Sequence, residues 1–148
     1  MKLGRTGAIS GGAVADVGAR VTGAGQLIPT GVQTAVSFAT VDYDTAALFT
    51  LITPTRFTVP SAGKYEFRSV VEHGVSAVGH RELTFRKNGV SLFIATTARP
   101  ATGGFNTKQE IVSEQIMAAG DYMEIMCFQD TPGFLVTNFQ TFEVRKNA

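Results

Sequence analysis

The chain has no tryptophan, a single cysteine and two histidines, and no long apolar run. Each shortage excludes something. One cysteine rules out an internal disulfide framework, so stability must come from a core or from oligomerisation. Cys127 lies within Ile125-Met126-Cys127-Phe128, the setting of a buried, inert thiol. His73 and His80 flank a loop from Gly74 to Gly79, where solvated side chains are expected, and neither stands in a motif that pairs a nucleophile with a base. One cysteine and two histidines do not make a zinc site of the usual composition without carboxylates. No segment approaches the roughly 18–20 apolar residues that span a bilayer. Met1-Lys2-Leu3-Gly4-Arg5 has no apolar core behind its charges, so a cleaved secretory signal is not expected. Charge of either sign is also scarce in excess: 13 Lys+Arg stand against 12 Asp+Glu, with no basic run to hold nucleic acid. No convincing amphipathic helix appears. Gly103-Gly104 is not followed by Lys-Ser/Thr, and Gly23-Ala24-Gly25 has no strand before it, so neither is a nucleotide loop. Nothing points to a reaction, a cofactor or a resident metal.

What is present is extended chain. A length of 148 residues with 44% hydrophobic content favours one domain with a real core. The stretch Phe57-Thr58-Val59-Pro60-Ser61-Ala62-Gly63-Lys64-Tyr65-Glu66-Phe67 reads as strand, tight corner, strand. Pro60 has no amide hydrogen for a ladder, and Gly63 can take the positive φ that a corner often needs. Beyond it, Tyr65, Phe67, Ser69 and Val71 share one face, while Glu66, Arg68, Val70 and Glu72 share the other. Glu82 to Arg86 alternates, Asn88-Gly89 signals a type I′ hairpin, and Ser91 to Thr96 returns. Further extended runs are expected at Ala35–Phe38, Ala47–Ile52, Tyr122–Gln129, Phe134–Val136 and Phe139–Val144, with Val41–Thr45 as a loop. Gln109–Met117 suits a strand, with a short helix as the alternative. About ten short strands between turn residues define an all-β sandwich or barrel.

Residues 1–33 read differently from 34–148. They are Gly/Ala-rich, with few larger apolar groups, among them Leu3, Ile9, Val14 and Val17, so alone they bury too little to offset their ordering entropy. Two readings stay open: a loose tail, or an arm that orders against another subunit and anchors the head through Leu3, Arg5, Ile9, Val14 and Val17. In Tyr122 to Phe128, Met123, Ile125 and Cys127 occupy one face, and Tyr122, Met126 and Phe128 make the other largely apolar around Glu124. Two apolar faces require two covers, of which a neighbouring subunit is one choice. Asp42-x-Asp44 offers oxygen to calcium, but acidic turn residues capping backbone amides are the expected role.

The Phe57–Phe67 corner resembles the "F-x-x-P-x-x-G-x-Y-x-F" pattern of the tumour necrosis factor and complement component 1q superfamily. Lys87-Asn88-Gly89 is similar to its central hairpin, and Met117-Ala118-Ala119-Gly120-Asp121-Tyr122-Met123-Glu124-Ile125 to its "L-x-x-G-D-x-V-x-L" strand entry. Phe38 and Tyr43 match its early aromatics. The resemblance covers about Thr34 to Lys146 and implies a ten-stranded jelly roll that assembles as a homotrimer, with the last strand in the middle of the inner sheet. It implies a trimer interface of Tyr122, Glu124, Met126 and Phe128 together with Glu66, Arg68 and Val70. It implies a core of Phe57, Tyr65, Phe67, Met123, Ile125 and Cys127. The superfamily's secreted animal members carry signal peptides and often a collagen stalk; here there is no G-X-Y repeat. Similar heads occur on bacteriophage virions. The expectation is therefore a non-enzymatic virion protein, a capsid decoration or head fibre assembled in the host cytoplasm, its arm holding a major capsid or other virion protein. The alternative is a receptor- or glycan-binding head using loops Val75–Val78 and Ala98–Asn106, a reading weakened by the missing tryptophan.

Overall fold

The computed structural model describes residues 16–98 and 104–148. Along them run eleven strands and no helix: β1 (Gly18–Gly23), β2 (Leu27–Ile28), β3 (Thr34–Ala35), β4 (Thr40–Asp44), β5 (Arg56–Thr58), β6 (Gly63–His73), β7 (Arg81–Lys87), β8 (Val90–Ala98), β9 (Thr107–Met117), β10 (Tyr122–Gln129) and β11 (Leu135–Lys146). They form two antiparallel sheets packed as a jelly-roll sandwich. One sheet runs β4-β1-β11-β6-β9, with β2 beside β11; the other runs β3-β10-β7-β8, with β5 beside β10. The last strand does return through the middle of its sheet.

Alternation decides what goes inside. From β6, Tyr65, Phe67 and Val71 point into the sandwich; from β10, Met123, Ile125 and Cys127 meet them. The ring of Phe142 lies 4.5 Å from that of Phe57 and 6.1 Å from that of Phe67. The expected core residues, Phe57, Tyr65, Phe67, Met123, Ile125 and Cys127, are all fully buried. The corner is built as its residues suggest. The Tyr65 hydroxyl donates to the Ser61 carbonyl at 2.9 Å, and a Cβ at Gly63 would stand 2.5 Å from Cε of Lys146. Asn88 (φ 49°) and Gly89 (φ 80°) make the hairpin. Asp121 holds that turn from outside, accepting from the Ala118 amide and the Asn88 amide group, each at 2.8 Å.

Several expectations are corrected. The sandwich starts at Gly18, not Thr34: β1 lies between β4 and β11, with Ala19 and Val21 fully buried. Its small residues permit close pairing; a Cβ on Gly18 would approach the Val144 carbonyl oxygen to 2.9 Å. Thr40–Asp44 is a strand, not a loop, and 47–52 is a loop, because Asp44 gathers the amides of Ala46, Leu48 and Phe49. The last two expected strands are one, with an irregularity between Thr137 and Phe139. Residues 109–117 are strand throughout. Leu3, Arg5, Ile9 and Val14 lie outside the described residues; Val17 is packed against the core.

Candidate functional site

No catalytic arrangement forms among the described residues. The His73 Nε2 lies 2.9 Å from Gln109 Oε1 in the interior, and burial pulls its pKa down to about 4. It is not solvated, contrary to expectation, because the inward phase of β6 carries through to it. His80 faces Asp130 at 2.6 Å, and no hydroxyl or thiol among the described residues bonds to either ring. Burial pushes the Cys127 thiol up to about 12, which removes the nucleophilic thiolate. No cluster of metal-ligating side chains occurs among the described residues. Asp42 pairs with Arg20 at 3.2 Å while Asp44 caps three amides, the turn role expected of it.

The surfaces that remain are the two outer faces and one end. Glu66, Arg68 and Val70 lie on the outer face of the six-stranded sheet. There a row crosses five strands in register: Tyr43, Arg20, Glu143, Arg68, Val112. Its charges alternate. Arg68 bonds Glu110 at 3.0 Å, and that hydrogen bond, then the charge of Glu110, raises the arginine's pKa. A shallow concavity of about 600 Å³ crosses this face, with Val70, Phe139 and Thr141 between Arg20, Arg68 and Glu143. Beside the charges stand Val112, Ile116 and Phe139, respectively 47%, 69% and 40% exposed. β9 is the sheet's margin, with eleven residues and, among the described residues, one edge to which no strand is hydrogen-bonded.

Tyr122, Glu124, Met126 and Phe128 lie on the opposite outer face. The structure does not bring them together with Glu66, Arg68 and Val70. Nor does their face demand another subunit. Met126 is 6% exposed in the single chain. Glu124 accepts from Arg86 at 2.8 Å and Thr55 at 3.0 Å. The Arg56 guanidinium covers Tyr122 at 4.4 Å, and His80 packs on Phe128 at 5.3 Å. Long polar side chains from neighbouring strands cover an apolar face that pattern counting leaves bare. The row through Arg20 and Tyr43 escaped the sequence reading because it lies in the segments taken as arm and loop. Ala19-Arg20-Val21-Thr22 does alternate, and that was the available signal.

At one end, β1 begins beside the end of β11, where the Lys146 amide donates to the Val17 carbonyl at 2.8 Å. The described chain therefore begins and ends at one base. The far end carries loops with exposed Val75, Val78, Phe105 and Phe134.

No family model and no curated protein matches the chain. Solved structures do. The globular domain of zebrafish complement 1qA protein is similar with a TM-score of 0.68 and 17% identity over 90% of this chain and 98% of that one. The Eiger TNF of S. frugiperda is similar with a TM-score of 0.60 and 12% identity over 90% and 94%. The chain thus has the jelly-roll fold of complement 1q and tumour necrosis factor heads.

Proposed function

We propose that the protein is a non-enzymatic, homotrimeric jelly-roll head with a structural role in a virion, attached through the residues that precede its base. The observation that carries the trimer is the six-stranded sheet's outer face, with its charged row and exposed Val112, Ile116 and Phe139, meeting the free edge of β9. A closed threefold ring needs two contact patches whose normals differ by about 60°, since the contacts are head-to-tail. A sheet face and its adjoining edge are inclined to one another and so can close a ring; two opposite outer faces would propagate a filament. In this reading Glu66, Arg68 and Val70 belong to the contact, and Tyr122, Glu124, Met126 and Phe128, covered within the chain by Arg56, Arg86, Thr55 and His80, do not. The virion setting is our reading of the Gly/Ala-rich segment that precedes the head. Light scattering of the full chain tests the trimer, at three times the 15.7 kDa chain mass. Removal of residues 1–15 tests the attachment. The trimer is expected to persist while co-sedimentation with virion shells is lost; retained co-sedimentation overturns the anchoring role.

A second reading, a receptor-binding head, rests on the apolar loop tips at the end away from the base. Cell-adsorption assays of Phe105→Ser and Phe134→Ser variants separate it from the first.

A further inference from the structure

The pairing of β7 with β8 is irregular. Thr84 pairs with Ala95 and Arg86 with Ser91, so two residue steps on β7 are matched by four on β8. The surplus chain is thrown outward at Phe93, while Leu92 and Ile94 on either side pack on the core. Phe93 has φ 56° and is 92% exposed. A left-handed backbone is strained for a bulky L residue, because Cβ crowds the following carbonyl oxygen. An edge strand that keeps both this strain and a bare ring is a candidate for a binding role.

The ring forms one wall of a trough of about 490 Å³ on the outer face of the five-stranded sheet, floored by Met126 and Ala95. Its other walls carry Gln33, Glu82, Thr84 and Ser91. Arg86 is engaged by Glu124, with its Nε and Nη2 at 3.0 and 2.8 Å from one oxygen. Glu82 has no cationic partner among the described residues; its Oε1 accepts from Thr84 at 3.1 Å and from the Gln33 amide nitrogen at 3.5 Å, leaving Oε2 to a ligand. The trough therefore presents a flat apolar face, one carboxylate acceptor, an amide and hydroxyls, and no free cation. Anions are disfavoured by Glu82. The Gln33 amide nitrogen and the Thr84 hydroxyl already donate to Glu82, and the Ser91 hydroxyl oxygen accepts from the Phe93 amide, which leaves the Ser91 hydroxyl hydrogen to donate. An ammonium ligand only donates and cannot receive it, whereas a sugar hydroxyl both donates and accepts. A ligand with one C–H face and several hydroxyls uses all of them, and the volume lies within the range of small-molecule sites.

We propose that this trough binds a neutral pyranose unit of a glycan. The sugar's C–H face stacks on Phe93, its hydroxyls donate to Glu82, and Gln33 and Ser91 complete the contacts. The trough opens on the outer face of the five-stranded sheet, opposite the sheet face used in the proposed trimer contact. The test is an amide NMR titration of the full chain with glucose, galactose, N-acetylglucosamine, sialic acid and lysine methyl ester, up to about 100 Kd-equivalents of a millimolar site. At least one neutral sugar is expected to shift the amides of 82–86 and 91–95. Phe93→Ala is expected to weaken that binding by about tenfold or more, and Glu82→Gln by about threefold or more, each fold-change read directly from Kd. Light scattering of both variants is expected to show the parent's mass, so that lost binding is distinct from lost assembly. No shift with any neutral sugar, preference for sialic acid or the ammonium probe, or unchanged affinity in both variants overturns the proposal. Shifts confined to the loops around Phe105 and Phe134 overturn it as well.

Discussion

His73 shows how one residue's surroundings set a property of the whole chain. Its folded pKa, about 4, is held below the ordinary 6.5 first by burial, with Gln109 opposing and Arg81 adding to the depression. Between these values the unfolded chain binds the proton and the folded chain does not, so stability is full above about pH 6.5 and declines as pH falls toward 4. The decline attributable to this group approaches about 3 kcal/mol at pH 4. Urea unfolding across this range is expected to show it, and His73→Gln is expected to flatten the profile in that window. Cys127 gives the converse. With its thiol pushed up to about 12, it is expected to stay unreactive toward a disulfide reagent at pH 8 until denaturant is added; prompt labelling of the native protein would contradict its burial. Cys127 was readable from sequence, because three apolar neighbours leave no polar setting for a thiolate. His73 was harder, since a glycine follows it and reads as a loop. The inward phase of Tyr65, Phe67, Ser69 and Val71 reaches it nonetheless.

Strands with strong alternation were legible. β6, β7 and β10 follow from period-2 patterns, and the β7–β8 turn from Asn88-Gly89. Those built from small residues were not, because β1 buries little side-chain volume and pairs by close backbone approach instead. A Cβ on Gly23 would meet the Ser37 carbonyl oxygen at 2.9 Å and the Gln140 side-chain nitrogen at 3.0 Å. Gly23→Val is expected to lower stability by about 1–3 kcal/mol, measured by thermal or chemical unfolding. The consequence for any truncation is direct. A chain beginning at residue 16 retains β1 and is expected to fold. One beginning at residue 26 lacks the strand between β4 and β11, exposes the inner side of both, and is expected to lose cooperative unfolding by circular dichroism. Deletions meant to probe attachment must therefore stop before Asp16.

At the scale of the assembly, the trimer implied by the resemblance was argued from the two apolar faces of β10, and the structure does not bring that strand's outer face together with Glu66, Arg68 and Val70. The count of apolar faces on β10 omitted the coverage that Arg56 and Arg86 provide from adjacent strands and Thr55 from the turn before β5, which no linear pattern contains. The two outer faces now make opposite predictions. Val112→Asp and Ile116→Asp place a carboxylate on the six-stranded sheet's face beside Glu110 and Glu114. Each is expected to convert the trimer to folded monomer, with the chain mass of 15.7 kDa by light scattering and an unchanged far-ultraviolet spectrum. Phe128→Ser, on the other face, is expected to leave the trimer intact. Because the proposed contact face carries Arg20, Arg68, Glu143 and Glu110 beside its apolar groups, assembly is also expected to weaken between about 0.1 and 1 M salt, where screening shortens from about 10 to 3 Å. An interface made of β10's outer face would respond in the reverse order. Dissociation by Phe128→Ser with indifference to Val112→Asp would place the threefold axis on the five-stranded sheet, and would close the sugar trough in the same stroke.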